Sequence, residues 1–215
     1  LEFASLGFYL TAHPMDEHSW EVRKVAPEPI LSLSSGKHIQ RCSGVVIAFK
    51  KINTRRGPLV FATLDDNSDR IELVISGDVL EKFAQPIDNE KILIVDGEIS
   101  IDNSKERENL GLGKKMNVST MLTLEQARIK FARKLTICMN SDDTSLLDEN
   151  LKELKSFSAN ITEGCPVEIK YSSKEIDAEI DVGNDFKILL NDTNLKKLVK
   201  NYGEKNLDIS YFTRQ

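Results

Sequence analysis

Apolar and polar positions alternate with a period of two through "PLVFATLDD" (Pro58–Asp66) and again through "RIELVIS" (Arg70–Ser76), with "NSD" between them. A strand sends successive side chains to opposite faces, so this pattern predicts a hairpin with one buried face. Val60, Ala62 and Leu64 fall on that face with Ile71, Leu73 and Ile75. Leu59, Phe61 and Thr63 fall on the open one, with Arg70, Glu72 and Val74. Upstream, "IQRCSGVVIAFKKI" (Ile39–Ile52) is β-rich and holds Gly44, which suggests a bulge or sharp bend. Downstream, "DVLEKFA" (Asp78–Ala84) reads as a short helix, "EKILIVDGEISID" (Glu90–Asp102) as a strand, and "GKKMNVSTMLTL" (Gly113–Leu124) as the last strand. Five strands with a helix between the third and fourth is the order of an OB-fold, a small, partly open Greek-key barrel, here over residues 37–122.

The flanks differ. In residues 1–36, "LEFASLGFYLTAHP" predicts a helix over Glu2–Thr11 stopped by Pro14, followed by a helical turn near Ser19–Val25 and the linker "APEPILSLSSG". In residues 123–215, "TLEQARIKFARK" (Thr123–Lys134) predicts a helix with Ala127, Phe131 and Ala132 on one side. A strand (Leu135–Asn140), a helix (Thr144–Ser158) and three strands ("PVEIKY", "DAEIDV", "FKILL") follow, then the helix "TNLKKLVKNYG" and the strand "LDISYF". That helix puts Leu195, Leu198, Val199 and Tyr202 on a core stripe and turns Lys196, Lys197 and Lys200 away, with Gly203 as its terminator. The predicted class is α+β multidomain: an N-terminal helical segment and linker, an OB barrel, and a small α+β domain with a mostly antiparallel sheet.

Composition narrows the function classes. The 215 residues carry a net charge of −5, with 40% hydrophobic and 29% charged residues. An acidic balance argues against a generally basic nucleic-acid coat but leaves room for a local patch. The longest apolar runs, such as "VVIAF", fall far short of the ~20 residues a spanning helix needs, so no membrane association is expected. The opening lacks a secretory signal, and Leu1 begins in mid-pattern, as a fragment of a longer chain would. Cys42, Cys138 and Cys165 form no CxxC pair, which predicts a cytoplasmic protein with neither a zinc ribbon nor a disulfide framework.

The candidate chemistry sits at the barrel's loops. "KKINTRR" places Lys50, Lys51, Arg55 and Arg56 in seven residues without an acid, in the predicted loop between the first two strands. The loop before the last strand offers Lys105, Arg107, Lys114 and Lys115. OB-folds bind ligands on the face of strands two and three, between these two loops. Cations flanking an exposed aromatic, here Phe61 with Arg70 nearby, suit single-stranded nucleic acid, because phosphates need charge and bases need a π face. The competing reading is a solvated hairpin tip on a neutral barrel, since residues 37–122 hold thirteen basic and thirteen acidic residues. A barrel used purely as a protein-docking scaffold is the alternative function. His13, Asp16, Glu17 and His18 match no metal-site spacing, and Asp65 and Asp66 read as turn formers. No Ser/His/Asp arrangement or glycine-rich phosphate loop is present, so neither catalysis nor a cofactor or metal is expected of this chain.

The segments "LGFYLTAHP" (Leu6–Pro14), "GPLVFATLDDNSDRIELVI" (Gly57–Ile75), "ILIVDGEIS" (Ile92–Ser100) and "LTLEQARIKFAR" (Leu122–Arg133) occur in the order seen in the C-terminal part of the bacterial replicative polymerase, the DNA polymerase III alpha subunit. The chain resembles that family over nearly all of its length. The resemblance implies an OB domain that contacts single-stranded template and a terminal domain that docks the tau subunit of the clamp loader. It also implies a sliding-clamp motif just upstream, and polymerase carboxylates further upstream in the parent enzyme, a DNA-directed DNA polymerase. Lys196, Lys197, Lys200, Tyr211 and Phe212 are the tau-contacting residues expected here. Departures from the family pattern are Ala12 for glycine, Ser76 for phenylalanine, Phe186 for tryptophan and Leu190 for proline.

Overall fold

The computed structural model describes residues 15, 18–55, 57–83, 87–101, 113–140, 152–157, 164–174, 176–183 and 186–212. The expected helix over Glu2–Thr11, most of that over Thr144–Ser158, and Arg56, Lys105 and Arg107 lie outside them. The chain divides into two compact units, Leu1–Leu124 and Glu125–Gln215.

In the first unit, helix α1 (Ser19–Val25) and a 3-10 turn at Ile30–Ser32 precede strands β1 (Gly36–Thr54), β2 (Gly57–Asp65) and β3 (Arg70–Ser76). Helix α2 (Gly77–Phe83) follows, then β4 (Ile92–Ile101) and β5 (Lys114–Thr123). The strands close in the order β1-β2-β3-β5-β4, with β1 long enough to pair with β4 through its first half and β2 through its second. The barrel is closed rather than partly open, because Glu72, Leu73 and Val74 pair in parallel with Lys115, Met116 and Asn117. The irregularity expected at Gly44 falls between Val46 and Ala48, just after β1 has passed from one partner strand to the other.

Strand alternation sorts the hairpin as the sequence predicts. Leu64, Ile71, Leu73 and Ile75 are fully buried, with Val60 and Ala62 beside them in the barrel core. Cys42 belongs to that core, and burial, with Asp66 and Asp96 nearby, pushes its thiol pKa up, so it stays protonated and acts as a small apolar filler. Ile30 closes one end of the core at 0% exposure, and its turn is tied down on three sides. Its N–H donates to Asp66 Oδ2 at 2.8 Å, the Leu31 N–H donates to Ser68 Oγ, and Lys114 Nζ donates to the carbonyls of both Ile30 and Leu31. Asp66 also accepts from the Ser68 and Asp69 N–H groups through Oδ1, and Asp65 from that of Asn67, so both carboxylates are turn formers.

The second unit, from Glu125 on, holds all but the first residue of α3 (Leu124–Phe131), then β6 (Ala132–Asn140), β7 (Cys165–Ser172), β8 (Asp177–Asp181), β9 (Lys187–Ile188), α4 (Asp192–Tyr202) and β10 (Leu207–Tyr211). Its sheet runs β10-β6-β7-β8 with only β6 and β7 parallel, and β9 pairs with β7. Helix α3 ends earlier than the sequence suggests. Ala132 is already in β6, because Tyr211 pairs with it and draws the backbone into the sheet. Buried Arg128 donates to the Leu190 carbonyl and to Asp192 Oδ1, fastening α3 to the start of α4, where the Asn191 side chain caps the Asn194 N–H. Leu198 is buried on the expected stripe, and Gly203 ends the helix at φ +82°, a conformation that favours glycine.

Two stability predictions follow from the barrel. Leu64→Ala removes a fully buried side chain and is expected to cost about 2–5 kcal/mol, read from the denaturant midpoint. Gly97→Ala is expected to cost about 1–3 kcal/mol on the same assay, because an added Cβ would run into the Asn117 carbonyl oxygen on β5.

Candidate nucleic-acid interface

Cross-strand pairing arranges the outer face of the barrel in rows. Lys50, Phe61, Val74 and Asn117 are successive neighbours across β1, β2, β3 and β5. Ala48, Thr63, Glu72 and Lys115 form the next row, and Ile52, Leu59 and Ser76 lie on the other side of the first. Phe61 is half-buried at the centre, with Lys115 Nζ 6.0 Å from its ring centroid. Lys115 Nζ also lies 3.2 Å from Glu72 Oε2. Ala48, Phe49, Lys50, Phe61, Thr63 and Glu72 line an open groove of about 360 Å³. Phe49, at 45% exposure, adds a second accessible aromatic that the sequence analysis did not single out.

The predicted cations divide by what they touch. Lys50, Lys51 and Arg55 are exposed, and no ion pair among the described residues engages them. Lys50 and Lys51 are not in a loop, however. They belong to β1, paired with Phe61 and Val60, so their side chains leave opposite faces and only Lys50 joins the Phe61 row. Lys114 and Lys115 likewise open β5 rather than lie in the preceding loop. Lys114 is committed to structure: besides the two carbonyls of the 3-10 turn, it pairs with Asp69 at 3.0 Å, and only 17% of its side chain is exposed. Arg70 donates Nε to Asp65 Oδ2 at 2.9 Å and is also held in place. Glu72, the one carboxylate lining the groove, was visible in the sequence as an open-face residue but carried no assigned role. Its significance depends on strand register.

In the second unit, Lys196, Lys197 and Lys200 are exposed along α4. Phe212 is 60% exposed, with the Arg133 guanidinium carbon 5.7 Å from its ring centroid. Tyr211 does not share that surface. It is buried at the end of β10, because alternate residues Leu207, Ile209 and Tyr211 all turn into the unit's core.

Residues 41–119 match the family model of the OB-fold nucleic acid binding domain of the tRNA anti-codon type. The DNA polymerase III subunit alpha of Pseudomonas fluorescens is 27% identical over 208 residues, covering 96% of this chain and 17% of that protein. The same subunit of Vibrio cholerae is 29% identical over 215 residues, covering 98% of this chain and 18% of that protein. The chain thus spans under a fifth of the length of these relatives. Among solved structures, the asparaginyl-tRNA synthetase of Entamoeba histolytica overlaps 43% of this chain and 22% of its own at 17% identity, with a TM-score of 0.35, a likeness too slight to carry any argument. The chain is thus similar over 96–98% of its length to DNA polymerase III alpha subunits, and its residues 41–119 match an OB-fold nucleic acid binding domain.

Proposed function

We propose that this chain is a non-catalytic part of a replicative DNA polymerase: its barrel guides single-stranded template, and its terminal unit docks the tau subunit of the clamp loader. The observation that carries the template reading is the row Lys50–Phe61–Val74 on the outer face, where an ammonium with no ion pair among the described residues adjoins a half-buried ring. Phosphate can lie against Lys50 and the hairpin end at Arg55 while a base stacks on Phe61. The tau reading draws support from similarity to the alpha subunit together with the exposed Phe212 and the lysine face of α4.

A titration of labelled single-stranded oligonucleotide against salt tests the template reading. Lys50→Glu is expected to weaken binding and flatten the slope of log K against log salt by about 0.7, the single-strand value per phosphate contact. Lys51→Glu, on the opposite face, should change both much less. Phe61→Ala should cost about 1–3 kcal/mol with the slope nearly unchanged, since stacking is not ionic. Lys114→Met should lower the unfolding midpoint yet leave the slope intact, because that ammonium serves the protein's own carbonyls. If Lys50→Glu and Phe61→Ala both retain full affinity, this row is not the binding face; if the unmodified protein binds no single strand, the barrel is a protein-docking scaffold.

For tau, Phe212→Ala combined with Lys196→Glu and Lys200→Glu should weaken a pull-down from the folded protein. Truncation at Leu207 is the wrong experiment, because it removes the buried Leu207, Ile209 and Tyr211 from the sheet. Full retention of tau by the triple variant would place the docking surface elsewhere.

A further inference from the structure

We propose that the Phe61 groove favours bases carrying an exocyclic amine over thymine, with Glu72 as the discriminating residue. The inference rests on the single-strand reading above and concerns which bases that face accepts.

Glu72 is 9% exposed at the middle of β3, opposite Thr63 and diagonal to Phe61. A carboxylate there does nothing for phosphate; on a face meant only for a polyanion it opposes binding. Burying it is also costly without a partner, a cost offset here by Lys115 at 3.2 Å. What a carboxylate can offer a single strand is acceptance. Cytosine N4, adenine N6 and guanine N2 are donors, and carboxylate pairing with cytosine N4 is an established mode of base readout. Thymine presents the O4 carbonyl where cytosine has its amine, and its N3–H lies between two carbonyls that a carboxylate repels.

Glu72 and Phe61 both line the groove, so a base stacked on Phe61 lies beside the carboxylate as well as the Lys115 ammonium, 6.0 Å from the ring centroid. An ionised carboxylate has two oxygens and roughly four acceptor directions, so it can accept from more than one donor at once. Thr63, on the same row, supplies a hydroxyl that can donate or accept, so the discrimination falls to Glu72.

The test is a fluorescence-anisotropy titration of the full chain with labelled oligo-dC and oligo-dT of equal length at one salt concentration. Oligo-dC is expected to bind about five- to tenfold tighter, the scale of one ordinary net hydrogen bond. Glu72→Gln, whose amide both donates and accepts, should bring that ratio to about one. Lys50→Met should weaken both oligonucleotides while preserving the ratio, which separates base readout from phosphate contact. A ratio near one in wild-type protein that binds both strands overturns the inference alone, as does a ratio that survives Glu72→Gln. Absence of binding to either strand overturns the single-strand reading, and this inference with it.

Discussion

Three parallel residue pairs between β3 and β5 fix the chemistry of the barrel's outer face. Their register sets Lys115 beside Glu72 and Asn117 beside Val74, and thereby completes rows that begin on β1. Because side chains alternate with a period of two, a one-residue slip of β5 would turn Met116 outward and point Lys115 into the core. The fully buried Leu73 and Met116, paired with each other inside the barrel, oppose that slip. Core packing and surface chemistry are therefore one constraint here.

Charge is allocated in two ways. Some cations close the structure: Lys114 holds the 3-10 turn against the barrel, Arg41 donates two hydrogen bonds to Asp96 at 2.8 and 3.0 Å, and Arg128 fastens α3 to α4. Each satisfies carbonyls or carboxylates that would otherwise be poorly solvated, which is why these side chains are largely withdrawn from water. The cations left outward include those at the β1–β2 hairpin end and along α4, where both proposed partner surfaces lie. A neutral charge count over the barrel concealed this division, since a count does not distinguish a committed ammonium from an accessible one.

The terminal unit follows the same economy. Lys134 donates to Glu168 at 2.7 Å across the β6–β7 pair, and this bond holds the Glu168 carboxyl below the usual carboxylate range. Desolvation raises Tyr202 to about 12 and Cys165 to about 12, so both remain neutral at ordinary pH and act as packing groups. The exposed aromatic is Phe212, one residue beyond the strand whose alternation buries Tyr211.

The sequence by itself determined the succession of strands and helix along the barrel, the hairpin faces, the turn role of Asp65 and Asp66, and the amphipathic stripe of α4. These are local periodicities and turn chemistries, written in residues a few positions apart. It did not determine where strands end. Lys50, Lys51, Lys114 and Lys115 fall both in predicted strands and in the loops read as ligand-binding, and backbone pairing with β2 and β4 places them in β1 and β5. Nor could it separate Lys114, bound to carbonyls more than eighty positions away, from an accessible lysine. The tertiary structure alone decided that Lys50 shares a face with Phe61, that Lys51 does not, and that Glu72 lines their groove. Those relations depend on register between strands, and register is set by the packing of the whole core rather than by any one segment.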